Sequence, residues 1–280
     1  MPEPGGISVI IITRNEAHRI RRCLESIRWA GEIIVVDQHS TDGTPAICRE
    51  YGAAVISRTM TRGFGDQKNF AISHAAQPWI LSLDADEVVT PDLRDSIVRA
   101  AAGSSSHAGY RMARLTNYLG RFIYHCGWYP NPVLRLFRTG AGRFTDAFVH
   151  EEVVVDGSVG TLSGDLLHYS YDSLAEHIRK MNLYTAYDAR MLARRGVRLT
   201  AWGVPWYFVA KPVTVFLRKY VVQMGFREGR HGLILSAMAA IVTFCNYAKL
   251  WELTRTGPVA SPDGDEAHGP IEERSDGAIT

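Results

Sequence analysis

A chain of 280 residues with 46% hydrophobic and 21% charged residues is long enough to bury a large core and has the balance of an ordinary globular protein. Its net charge of +2 excludes a general electrostatic attraction to nucleic acid, so no nucleic-acid partner is expected and any preference must come from local patches. The widely spaced Cys23, Cys48, Cys126 and Cys245 contain no C-x-x-C pair, which argues against a zinc knuckle and a disulfide framework and suits reduced thiols in the cytoplasm.

Residues 1–6 lack a basic region and run directly into a strand pattern, so no cleaved secretory signal is expected. The β-branched run at residues 7–12 predicts a strand covered on both faces. Asn15 then offers an N-cap, with Ile20, Leu24 and Ile27 on one face of the helix that follows. Residues 32–36 (EIIVV) predict a second strand, Thr44-Pro45 a capped helix start, Gly52 its end, and residues 54–56 a short third strand. A helix over residues 64–75, a buried strand over 79–83 and a second cap-proline start at Thr90-Pro91 complete an alternating pattern that predicts a mostly parallel α/β sheet.

Short strands among glycines and aromatics are expected at residues 110–115, 133–137, 148–155 and 166–169, as a mixed-sheet half of the same domain. Ser173-Leu-Ala-Glu176 is a capping box opening a helix that runs to about residue 195, where Gly196 stops it. Residues 201–255, rich in Trp, Phe, Val and Ala, are expected to be helical, and beyond Gly257 the polar composition predicts disorder. The expected organisation is therefore residues 1–105 as a parallel half, 106–172 as the mixed-sheet half of the same domain, 173–255 as a helical module and 256–280 as a tail.

Chemistry is expected where parallel strands end, because ligands of such sheets bind beyond the carboxyl ends of the strands. The first strand ends in Thr13-Arg14-Asn15-Glu16, the second in Asp37 followed by His39-Ser40-Thr41-Asp42-Gly43-Thr44, and the next buried strand in Asp84-Ala85-Asp86-Glu87. A lone D-x-D is as often a turn as a site; three polar clusters in order, each after an apolar run, are far more specific. Hard carboxylate oxygens one residue apart suit a divalent metal, Mg²⁺ or Mn²⁺, that keeps water and phosphate ligands. No G-x-G-x-x-G turn or P-loop follows the first strand, which disfavours dehydrogenases and NTPases.

The segments VIIITRNEA, VVDQHSTDGT and WILSLDADE, with GFGDQKNFAI between the last two, resemble the N-terminal motifs of the family 2 glycosyltransferases, which have the GT-A fold. The resemblance implies a metal-assisted transfer from a nucleotide-sugar donor, a UDP-sugar in first place. It also implies that Thr13, Asn15 and Glu16 lie at the base pocket, Asp37 bonds the nucleobase, Lys68 and Asn69 support the nucleotide, Asp84 lies near the ribose, and Asp86 binds the metal. FVHEEV, LLHYSYDSL and KMNLYT resemble the lipopolysaccharide-core β-glucosyltransferase branch, implying a hexose such as glucose and an envelope or lipid-linked glycan acceptor.

An inverting transfer needs one carboxylate as general base. Glu151 is the first candidate, with Asp146 and Glu152 behind it; Glu151 and Glu152 point opposite ways on a strand, and pairing of Glu151 with Arg135 or Arg138 is the competing reading. His168 is a candidate further metal ligand near the diphosphate, with a buried, hydrogen-bonded structural histidine as the competing reading. Aromatics interleaved with Lys211, Arg218, Lys219, Arg227 and Arg230, followed by the apolar residues 232–248, predict a module lying on an anionic membrane surface on the cytoplasmic side, against a buried helix or a span. Competing functions are a sugar-nucleotide or phosphosugar transferase and a membrane-bound scaffold with a vestigial site.

Overall fold

The structure, a computed structural model, describes residues 6–103, 106–145 and 152–256. Its first strands are β1 (Ile7–Thr13), β2 (Glu32–Asp37), β3 (Ala54–Ser57) and β4 (Trp79–Asp84), and β1 lies between β2 and β4 with parallel pairing throughout. The period of two in a strand divides their apolar side chains between two layers. Val9, Ile11 and Val35 pack with Ile20 and Leu24 of α1 (Ile20–Ser26), Cys48 of α2 (Thr44–Glu50), and Leu93 and Ile97 of α4 (Pro91–Ala102). Ile10, Ile34 and Val36 face the other way, onto Ala71 of α3 (Phe64–Ile72), Phe137 and Phe144. Both faces of β1, β2 and β4 are covered, which is why these strands read as mostly apolar runs rather than alternating ones.

The sheet continues as a mixed one. β5 (Glu87–Val89), β6 (Gly109–Tyr118), β8 (Asn131–Arg138) and β11 (Val159–Tyr171) extend it in the order β3-β2-β1-β4-β8-β6-β11-β5, with β7 (Arg121–Phe122) paired to β6. β9 (Gly142–Phe144) and β10 (Val153–Val155) form a separate antiparallel hairpin. Gly164 makes one local step possible: at φ +93° it passes so close to the backbone of Leu93 that a Cβ would lie 2.4 Å from its nitrogen. Only glycine tolerates both conditions, and β11 runs on from there to His168.

The chain divides into two units, and residues 116–129 group with the C-terminal helices rather than with the rest of the second sheet half. In that second unit α5 (Leu174–Arg194) is capped as expected, with Ser173 Oγ accepting from Glu176 N–H at 3.1 Å, while Glu176 accepts from Asp172 N–H at 3.0 Å. α6 (Lys211–Leu217) is flanked by π-helical turns at Trp206–Ala210 and Arg218–Val222, and α7 (Arg230–Thr256) closes the described chain. α5 and α7 meet through Ala189, Tyr247 and Leu250, with Asn246 donating to Asp188 at 3.0 Å and Lys249 to Thr185 at 2.8 Å. The expected tail beyond Thr256 lies outside the described residues.

Two local expectations change. Asn15 is not an N-cap: it sits in the left-handed region at φ 58°, and the first helix starts only at Ile20. Thr44 is the first helical residue rather than the cap, and its hydroxyl is bonded to Asp42.

Candidate active site

The β1–β2–β4 register brings the ends of three strands level. Thr13 pairs with Asp37, and Ile12 with Asp84. Thr13 donates its hydroxyl to Asp37 at 3.0 Å, and Asp37 also accepts from Ser40 N–H at 2.9 Å. The two loops beyond are stitched together. Asn15 N–H donates to Ser40 Oγ and Asn15 Oδ1 accepts from Thr41 N–H, both at 2.8 Å, while Glu16 N–H donates to Thr44 Oγ1 at 2.8 Å. Asp42 accepts from Thr44 N–H and Ala17 N–H; burial pushes its carboxyl up, but those hydrogen bonds outweigh it and hold the group below its ordinary value.

The Asp84–Ala85–Asp86 turn lies in a dense set of charges. Lys68, almost fully buried, holds Asp84 Oδ1 at 3.1 Å, and Arg135 bonds Asp84 Oδ2. Asp86 is buried beside His168, whose Nε2 lies 3.2 Å from its Oδ2. That placement follows from strand pairing: His168 of β11 is opposite Glu87 of β5, and Tyr169 N–H donates to the Asp86 carbonyl. Cys23 lies beneath, and burial, reinforced by Glu87, Asp86 and Asp84, pushes its thiol well above its ordinary value.

Glu87 is the residue that sequence reasoning passed over. It is fully buried, accepts the Asp84 N–H at 3.0 Å, and pairs with Arg135 at 2.8 Å and Arg114 at 3.5 Å. One carboxylate thus fixes the backbone of the acidic turn and gathers two buried guanidinium groups. Asp84, Asp86 and Glu87 are balanced in number by Lys68, Arg114 and Arg135. The available signal was an arginine between two apolar residues, Leu134-Arg135-Leu136, in a strand pattern where an unpaired charge would not be tolerated.

Asn69 is differently placed. Its carboxamide both donates to and accepts from the backbone of Phe144 at 2.9 Å, so it clamps the β9 stem beside Lys68. Asp146 and Glu151 lie outside the described residues. What is described is the stem from which that segment leaves and returns: Thr145 N–H bonds the Glu152 carbonyl at 3.0 Å, and Glu152 itself is exposed. Arg135 is engaged by Asp84 and Glu87, and the Arg138 guanidinium lies over the Trp79 ring.

A metal is tested by the donor set. No group of three His, Cys, Asp or Glu side chains with metal-holding geometry occurs among the described residues. Asp86 and His168 make a pair, and their 3.2 Å separation is close to the ~3 Å expected between ligands at right angles around an ion that holds each at about 2.1 Å. Two protein ligands, with the rest from phosphate and water, is the pattern of an ion that binds with its substrate. The residues fit.

The family model for glycosyl transferase family 2 matches residues 8–114, the segment carrying all three strand ends. A lipopolysaccharide core biosynthesis glycosyltransferase of Rhizobium meliloti is 34% identical over 272 residues, covering 93% of this chain and 97% of that protein. The chain belongs to the family 2 glycosyltransferases. A glycosyltransferase of Rickettsia typhi is 31% identical over 264 residues, covering 89% of this chain and 87% of its own length. Among solved structures, a mannosyltransferase from Pyrobaculum calidifontis, in complex with GDP-Man and Mn²⁺, aligns over 90% of both chains with TM-score 0.51 at 17% identity. The fold is that of the GT-A glycosyltransferases, and this family 2 chain is a glycosyltransferase.

Proposed function

We propose that this glycosyltransferase moves a hexose, with inversion, from a nucleoside diphosphate sugar of the UDP class to a lipopolysaccharide-core or other envelope glycan presented at the cytoplasmic face of the membrane. The observation that carries the reading is the convergence of Asp84, Asp86, Lys68, Arg135 and His168 on one strand end. The printed name of the Rhizobium meliloti relative supports the acceptor class.

In this reading Thr13, Asn15 and Glu16 border the base, and Asp37, already oriented by Thr13 and Ser40, accepts from the base N–H. Asp84, steadied by Lys68 and Arg135, takes a ribose hydroxyl. Asp86 and His168 hold the divalent ion, which when bound screens the diphosphate and makes it a better leaving group. Lys68 and Arg135 set the electrostatic field in which the leaving charge develops. Asn69 acts at one remove, by fixing the stem of the 145–152 segment. Glu151, or Asp146 in its place, accepts the proton of the acceptor hydroxyl. The acceptor oxygen then bonds to the anomeric carbon as the bond from that carbon to the diphosphate oxygen breaks, and its electron pair leaves with the diphosphate.

A donor panel read by thermal shift tests the reading. A nucleoside diphosphate sugar at a hundred times its Kd stabilises by about 2.7 kcal/mol, or roughly 5–10 °C in a chain of this size. A UDP-sugar is expected to give that shift only with Mn²⁺ or Mg²⁺ present. Equal shifts from sugar monophosphates, or none from any nucleotide, would contradict it.

A further inference from the structure

In the second unit apolar side chains face outward as well as inward. The buried side of α7 carries Leu235, Val242 and Leu250 together with Ser236, Thr243 and Asn246, while Leu233, Ile241, Phe244 and Trp251 of the same helix are exposed. The α6 segment presents a longer stripe. Trp202, Trp206, Val209, Val213, Leu217 and Val221 recur every three or four residues and are all exposed, Trp202 at 95%. Their mean spacing exceeds the 3.6 of an α-helix, and the wider π-helical turns on both sides of α6 accommodate it. A stripe of this size is well beyond scattered single exposed residues, and it marks a surface that something covers.

Charge identifies the covering. Between Asp188 and Glu228 the chain has 39 residues with no Asp or Glu and eight Lys or Arg. Lys211 reaches Tyr247 Oη, and Lys219 bonds the Cys126 carbonyl. Arg194, Arg198, Arg218 and Arg227 are exposed along the same stretch. Tryptophans on an apolar stripe, flanked by arginines without a single acid, match the headgroup layer of an anionic leaflet.

We propose that residues 194–227 form an in-plane membrane-docking surface. The indoles and valines of the α6 stripe enter the boundary between headgroups and acyl chains, and the exposed arginines lie against anionic lipid. α7 is the one helix among the described residues long and apolar enough to span a bilayer. Its Asn246 and Lys249 are engaged with α5, at Asp188 and Thr185, so it supports the docking helix and does not cross. The proposal shares with the proposed function the idea of a membrane-presented acceptor, and it locates that contact on one face.

Flotation of the full chain with phosphatidylcholine vesicles, with and without phosphatidylglycerol, tests it. Binding is expected only with phosphatidylglycerol, with release in high salt. Arg198→Glu/Arg218→Glu/Arg227→Glu is expected to weaken it by about a hundred-fold, and Val213→Glu/Leu217→Glu to abolish it. These positions are exposed, so both variants should keep the parent melting temperature and metal-dependent nucleotide binding. Loss of that binding in the parent would instead count against the proposed function. A parent that ignores vesicles but is a dimer, made monomeric by Val213→Glu/Leu217→Glu, would overturn the proposal in favour of a second copy. Retention that salt and alkaline carbonate cannot reverse would overturn it in favour of a span.

Discussion

Replacing Glu87 by Gln should reveal how tightly the acidic turn is tied to its buried counter-charges. The amide keeps the acceptor for Asp84 N–H but removes the charge shared by Arg135 and Arg114. Arg114 has no hydrogen bond at any guanidinium nitrogen among the described residues, so Glu87 at 3.5 Å is its compensation. Breaking a buried pair of this kind costs about 3–5 kcal/mol, because a charge remains without a partner in a poorly polarisable interior. In a chain of this length that lowers Tm by roughly 6–20 °C. Arg114→Met alone unbalances the cluster in the other direction, whereas Glu87→Gln/Arg114→Met restores equal numbers of carboxylates and cations. The double variant should therefore melt above the Glu87→Gln single variant. The assay is calorimetry with EDTA present, so that only the protein's own charges are read. Additive losses in the double variant, or a Glu87→Gln protein within about 1 kcal/mol of the parent, the scale of an exposed ion pair, would refute the reasoning.

Glu151→Gln should leave donor binding near that of the parent and lower kcat by about 10²-fold or more; if Asp146→Asn gives that selective defect instead, Asp146 is the base. Glu228 is pushed up by burial, but the hydrogen bonds from His125 and Tyr124 and the charge of Arg121 outweigh this and hold it below its ordinary value. It therefore binds its proton less tightly folded than unfolded, and the stability it contributes is present above the usual carboxylate range and lost as pH falls through the lowered folded value. The Tm difference between parent and Glu228→Gln should accordingly narrow in acid, and a difference that widens would contradict this. Burial, with Asp37 next, pushes the Cys48 thiol up to about 12, and Cys23 is raised as well. Neither should react with iodoacetamide at neutral pH in the folded protein; native labelling at either would show that the α1–α2 layer opens.

The parallel half of the fold was legible because its residues obey local rules. Short, mostly apolar and β-branched runs at β1, β2 and β4 fit strands covered on both sides, and Thr90-Pro91 and Ser173–Glu176 are caps that need no tertiary information. The polar strand ends were legible for the same reason, since topology alone brings Thr13, Asp37 and Asp84 to one edge. Glu87, Arg114 and Arg135 were not, because their meeting depends on β6, β8 and β11 pairing across large sequence separations. Asn15 misled because an Asn before an apolar pattern fits an N-cap and a left-handed turn equally well. Asn69 lay inside a recognisable motif, but its partner is a backbone 75 positions away, and no local pattern announces that. The α6 stripe has helical spacing in the sequence; only the structure shows that it faces outward.

Sugar transfer that requires Asp86 is the central expectation for this enzyme. The direct measurement is product formation by the purified full chain, given a UDP-hexose, Mn²⁺ and delipidated lipopolysaccharide core as acceptor, with the new anomeric centre assigned by NMR. The expected results are a product whose anomeric configuration is inverted relative to the donor, loss of that product with EDTA, and no product from Asp86→Ala that still folds. A retained configuration, or transfer that persists in Asp86→Ala at the parent rate, would contradict it.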